Sequence, residues 1–93
     1  MTKCIIRTEK AGVHYGTVVS RKGSEIDLID SRRLWYWRGA NCLSQLAKDG
    51  TKDQSACKFS VSLDSITILG VIEVIPCTEI AIKSIEGVPM WRC

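Results

Sequence analysis

The chain is poor in the features that most directly betray chemistry. Only 2 of its 93 residues are proline and 7 are glycine, which excludes collagen-like and low-complexity disordered architectures. Its strongest apolar runs, Ile66 to Ile75 (interrupted by Glu73) and Ile80 to Ile85, are far shorter than the ~20 residues a bilayer-spanning helix needs. Met1-Thr2-Lys3 leads straight into a strand-like segment with no small-residue cleavage site, so no signal peptide and a cytoplasmic location are expected. There is one histidine, and Gly12 and Gly16 form no recognisable phosphate-cradling loop.

The five cysteines, at positions 4, 42, 57, 77 and 93, are equally uninformative about metals. No two are separated by two to four residues, so the usual zinc half-site is missing. Their odd number and even scatter argue against a disulfide framework. Cys4, Cys42, Cys57 and Cys77 are expected as small buried hydrophobes and Cys93 as an exposed terminal thiol. No nucleophile–base–acid set stands out either. A non-enzyme without a metal or cofactor is the expectation.

What is present describes an ordinary folded chain. Hydrophobic residues make up 45% and charged residues 25%, compatible with a single domain over residues 1–93. A core of this size is marginal for a monomer, because surface dominates volume in small domains. Net charge is +3, unevenly spread. Residues 1–58 carry 11 basic and 6 acidic groups, a balance of +5, whereas residues 59–93 carry 2 and 4, a balance of −2. The basic half suits an anion, but so small an excess does not suit non-specific duplex binding.

Periodicity points to an α+β fold, a mainly antiparallel β-sheet or small β-barrel with two short helices. Lys3 to Thr8 and Val13 to Ser20 read as strands, with Gly16 marking a bulge or a close backbone approach. Glu25 to Asp30 begins with strand-like alternation, and a further strand is expected to run through Trp37. Ser44 to Asp49 forms one or two helical turns stopped by Gly50. Phe59 and Val61 share one face of a strand. Gly70 breaks the stretch Ile66 to Ile75. Thr78 caps a helix by accepting from the amide of Ala81, with Ile80, Ala81, Ser84 and Ile85 on one face and Gly87 closing it.

The segment Arg32 to Arg38 is the densest chemical feature, with three arginines and three large aromatics in seven residues and no acid. In a strand, Arg32, Leu34, Tyr36 and Arg38 point one way and Arg33, Trp35 and Trp37 the other. A guanidinium chelates phosphate through two parallel hydrogen bonds, and an aromatic face stacks on a base. Arg32, Arg33, Trp35, Trp37 and Arg38 are therefore candidate ligand residues, although Trp35 and Trp37 could equally be core. His14, Tyr15 and Ser60 join them, with Ser62 beside Ser60 on the polar face. The competing readings are a strand histidine bonded to backbone and surface serines.

The runs AGVHYG, SRRLWYWRGANCLSQLA, CKFSVSLDSI and VIEVIPCTEIAIKSIEGVPMW resemble a small protein family common in tailed bacteriophages. The resemblance spans nearly the whole chain and implies a phage protein made in the cytoplasm of a bacterial host cell. It extends by similarity of size and style to the Thoeris anti-defence sponges, which are oligomers that bind signals of bacterial immunity without destroying them. By that likeness, the expected function is sequestration of a small nucleotide-derived ligand, a cyclic oligonucleotide or cyclic ADP-ribose, with no membrane partner. The alternatives are a single-stranded nucleic-acid or RNA-binding module and a protein–protein inhibitor of a host defence effector. A homo-oligomer is expected, with Ile82, Ile85, Val88, Met90 and Trp91 at the interface and ligand sites beside it.

Overall fold

The computed structural model describes residues 2–40 and 42–91. Six strands and two helices follow one another as β1 (Thr2–Thr8), β2 (Val13–Lys22), β3 (Glu25–Tyr36), α1 (Leu43–Asp49), β4 (Lys58–Phe59), β5 (Leu63–Ile68), β6 (Val71–Pro76) and α2 (Glu79–Glu86), with a 3-10 turn over Gln54–Ala56. All strand pairings in the sheet are antiparallel, in the order β4-β3-β2-β1-β6, and β5 also pairs with β3. The fold is α+β.

Covalent geometry forces this sheet to curl. β5 and β6 pair with β3 and β1, so in a flat sheet four inter-strand steps, roughly 19 Å, would separate them. Yet only Leu69 and Gly70 join them, a reach of about 11 Å at most over three Cα steps. The two edges therefore bend toward each other. Their seam is pinned at one end, where Val71 N–H donates to the Ser24 carbonyl at 2.9 Å and Glu9 N–H to that of Gly70 at 3.0 Å. Among the described residues no ladder joins β5 to β6, so the sheet stays open and is not a closed barrel.

Both faces of β1 are buried, which explains its continuous apolar run. Ile5 packs with Tyr15, Leu34, Phe59 and the helix residues Leu46, Ala47, Ala81 and Ile85. Cys4 and Ile6 pack on the concave side with Ile26, Leu28 and Ile68, and no helix contributes to that cluster. The bend is set at Gly16. There the β2–β3 register slips, so that Asp30 and Ser31 face a single residue. A Cβ on Gly16 would lie 3.0 Å from Ser31 Cβ and 3.2 Å from Leu28 Cδ1. Asp30 takes up the irregularity with a φ of +51°, a left-handed conformation that aspartate tolerates better than most residues.

Local signals give the helix ends correctly. Thr78 Oγ1 accepts from Ala81 N–H at 3.1 Å, and Gly50, at φ +75°, ends α1 by donating to the Leu46 carbonyl. Gly70, also at φ +75°, divides β5 from β6. Four expectations fail, the first being the separate strand through Trp37, since Glu25–Tyr36 is one continuous strand that stops before it. The helix face buries Ala81 and Ile85 but leaves Ile80 68% exposed, because the 81/85 line is the one that packs against α1 and the core residues of the sheet. Val61 does not share the buried face of Phe59, because β4 ends at Phe59 and the chain leaves the sheet. Cys42 is exposed at the cap of α1, whereas Cys4 and Cys57 are buried and Cys77 is half-buried. Cys93 lies outside the described residues. No helix among the described residues is long and apolar enough to cross a membrane.

Candidate functional site

Strand alternation sends the adjacent arginines of β3 to opposite faces of the sheet, and a cleft lies on each side. On the helix side, an open cleft of about 460 Å³ runs between the sheet, the end of α2 and the 60–62 loop. Tyr15 Oη and Lys3 Nζ both donate to Glu86 Oε2, each at 2.7 Å. Burial, reinforced by the bond to Glu86, pushes the Tyr15 hydroxyl far above the ordinary tyrosine value. Partial burial works to raise the Glu86 carboxyl, but the bonds from Lys3 and Tyr15 outweigh it and hold it below the usual value. Lys3 is raised in turn, chiefly by its bond to Glu86. At neutral pH the trio is a phenol and an ammonium around a carboxylate.

Arg32 forms the floor of this cleft and is only 8% exposed. Its Nε donates to the Ser60 carbonyl at 2.9 Å, and its Nη1 to the carbonyls of Ile85 at 3.1 Å and Val88 at 2.7 Å. The guanidinium also lies over the Phe59 ring, 5.5 Å from its centroid. It therefore binds the C-terminal end of α2, where unsatisfied carbonyls and the helix dipole favour a cation. Burial nevertheless lowers its pKa. Arg32 is first a tie between β3, the 60–62 loop and α2.

Across the sheet, a smaller depression of about 180 Å³ brings His14, Arg33, Trp35 and Ser60 together with Ser31 and an apolar rim of Val61, Leu63 and Ile66. No acid lines it. Among the described residues the Arg33 side chain has no hydrogen bond or ion pair. Trp35 is 53% exposed and meets Trp91 edge-on at 5.1 Å between centroids. His14 Nε2 lies 2.8 Å from the Ala11 carbonyl, so that nitrogen must carry the proton, leaving Nδ1 as an acceptor in the neutral ring. Burial, assisted by the charge of Arg33 and opposed by the Ala11 carbonyl, lowers the His14 pKa.

The eight sequence-selected ligand residues thus divide. Arg32 and Tyr15 belong to the helix-side cleft, His14, Arg33 and Trp35 to the opposite depression, and Ser60 borders both. Ser60 is not a free donor, since its hydroxyl donates to the Val61 carbonyl at 3.0 Å and accepts from Arg33 N–H at 2.7 Å. Ser62 lines the helix-side cleft. Trp37 and Arg38 lie beyond the end of β3, where Trp37 packs against the helix-side core. The Arg38 carbonyl accepts from the Thr51 hydroxyl.

Of the expected interface set, two residues are already buried within the chain. Ile85 and Val88 are spent in the chain's own core, because α2 and the segment after it close the helix-side layer. Met90 bridges to Phe59, and Trp91 N–H donates to the Phe59 carbonyl at 2.9 Å, so the tail is tied to its own sheet edge. Ile82 is half-buried beside Cys77 and Lys3. Sequence reasoning missed Lys3, Asp30 and Glu86. Lys3 and Glu86 are 83 positions apart, and only the tolerance of aspartate for left-handed backbone hinted at Asp30.

Cys4 and Cys77 offer little reactivity. Burial raises Cys4 and, with Cys4 nearby, pushes Cys77 up to about 12, so both stay protonated at neutral pH. Among the described residues no group of three or more His, Cys, Asp or Glu is placed to hold a metal ion. The family comparison places residues 1–85 in a domain of unknown function, DUF6948, and the chain belongs to that family. No curated protein and no solved structure matches it.

Proposed function

We propose that this member of the DUF6948 family binds and sequesters a small nucleotide-derived ligand, such as a cyclic oligonucleotide or cyclic ADP-ribose, on the face bearing Arg33 and Trp35. The observation that carries this reading is the acid-free depression in which an unpaired guanidinium, an exposed indole and a neutral imidazole converge. Arg33 would take a phosphate through its planar fork, and Trp35 would stack on a base. The site suits binding rather than turnover, since the groups around it supply no activated nucleophile.

At about 180 Å³ the depression accommodates one base or one phosphate group, not a whole cyclic dinucleotide. A second wall is needed. The exposed Trp35, Val61 and Leu63 around it would let a second copy close over the ligand, which moves the expected homo-oligomer interface from Ile85 and Val88 to this rim. The setting, suppression of a host immune signal, rests on the phage-family resemblance alone.

The test mixes the purified chain with cyclic ADP-ribose and cyclic dinucleotides, removes free ligand, releases the bound fraction by heat and identifies it by mass. Recovery of unaltered ligand, lost in Arg33→Gln and Trp35→Leu, supports the reading. Absence of binding, or release of a cleaved product, overturns it. An exposed indole on an open sheet also favours a second reading, a platform for single-stranded nucleic acid. Salt-sensitive binding of oligonucleotides, without binding of the cyclic ligands, would select that one.

A further inference from the structure

The helix-side cleft contains a fixed cationic edge that the described residues leave unused. Arg32 commits Nε and Nη1 to three carbonyls, and its Nη2 has no partner among the described residues. Every side-chain nitrogen or oxygen sealed from solvent there does have a partner. Nη2 is therefore open to the cleft that its residue lines. No carboxylate among the described residues pairs with Arg32, since the ion pairs are Lys3–Glu86 and Arg7–Glu73. A guanidinium held by three bonds and an aromatic ring needs no reorganisation to receive an anion.

The same cleft holds a carboxylate that no hydrogen bond or ion pair among the described residues engages, with the Lys3 ammonium acting on it only through space. Asp30 lines it and accepts no hydrogen bond from the described residues, and the left-handed bulge at Gly16 fixes its backbone. The remaining charged pair, Lys3 and Glu86, satisfies itself. A polyphosphate would meet repulsion from Asp30 and Glu86, and a bare cation would meet it from Arg32 and Lys3. The complement to one free cationic edge and one free carboxylate is a molecule carrying both charges. Val61, Val88 and Met90 add an apolar wall.

We propose that this cleft binds a small zwitterion of the α-amino acid type, with its carboxylate on Arg32, its ammonium on Asp30 and an apolar side chain against Val61 and Met90. This site lies across the sheet from Arg33, sharing with that face only the Ser60–Val61 segment, and goes beyond the function proposed there.

The test is a calorimetric or NMR titration with L-methionine, methioninamide (no carboxylate) and N-acetylmethionine (no ammonium). Saturable binding of methionine is expected, with each blocked form at least about tenfold weaker, the scale of losing one charged hydrogen bond. Asp30→Asn should weaken methionine by about tenfold and leave N-acetylmethionine unchanged. Asp30→Gly, which suits the positive φ and so guards against misfolding, should do the same. Arg33→Gln and Trp35→Leu should leave methionine binding intact, so failure here is distinguishable from failure of the nucleotide reading. No saturation by about 10 mM methionine, equal binding of the blocked forms, or indifference to both Asp30 variants would overturn the proposal.

Discussion

Replacing Arg32 with methionine should cost far more than the same change at Arg33, one residue away. Arg32 is buried and makes three hydrogen bonds to backbone carbonyls. Bonds from a charged donor contribute about 1.5–3 kcal/mol each when considered singly. They do not simply add here, since Nη1 is shared between two carbonyls and the end of α2 can regain some water. A loss of about 3–5 kcal/mol is the resulting expectation, the scale of breaking a buried charged network. For a chain of 93 residues total stability is about 5–10 kcal/mol, so Arg32→Met should remove a large share of it. Arg33→Met, at an exposed side chain with no bond among the described residues, should stay within about 0.5 kcal/mol. Arg32→Lys should recover only part, because an ammonium cannot span the fork that reaches Ser60 and Val88 together. Urea unfolding followed by tryptophan fluorescence measures all three. If Arg32→Met and Arg33→Met unfold within 1 kcal/mol of each other on the scale of a typical surface change, the tying role assigned to Arg32 is refuted.

Gly16→Ala should destabilise by about 1–3 kcal/mol, because the new methyl meets Ser31 and Leu28 at a bend the sheet cannot relax; unchanged urea stability would show that the bend gives way. Thr78→Ala should lose about 1 kcal/mol with the α2 cap, while Thr78→Ser should retain most of it. The folded-state pKa of His14 lies below its ordinary value of 6.5, so the unfolded chain takes up that proton first. Its contribution is present above pH 6.5 and is lost as pH falls below that value, levelling off under the folded pKa. His14→Gln should flatten that part of the stability–pH profile, and an unaltered slope would assign it to another group. Among the described thiols, Cys42 should be alkylated first in the native state at neutral pH, and faster labelling of Cys4 or Cys57 would contradict their burial.

Where the sequence was readable, the determinant was local. Thr78, Gly50 and Gly70 act on backbone within a few residues, so their chemistry alone places a cap, a stop and a break. The curl of the sheet was not readable, because it follows from which strands pair. That pairing places β5 beside β3 and β6 beside β1 although only two residues separate them. The α2 face was half readable. Ile80, Ala81, Ser84 and Ile85 all lie on one side, and the choice to bury the 81/85 line was made by what the helix meets. Thr78 N–H reaches the Ala47 carbonyl, and Ser84 Oγ donates to that of Thr51, which turns Ile80 outward.

The candidate site shows the same division at finer grain. Alternation alone says that Arg32 and Arg33 must face opposite ways. It cannot say which one is buried, because the Asp30–Ser31 bulge against Gly16 resets the phase of β3 just before them. One arginine consequently becomes a tie to the end of α2, and its neighbour stays free beside an exposed indole. Counting both as groups of one site treats composition as geometry. The helix-side cleft was hidden for a complementary reason, since Lys3, Asp30 and Glu86 come from three distant segments and none sits in an unusual local pattern. A mixed-charge site assembled across a sheet leaves no mark in spacing. It becomes visible only when each charge is matched with its bonds, and among the described residues Asp30 and one edge of Arg32 have none.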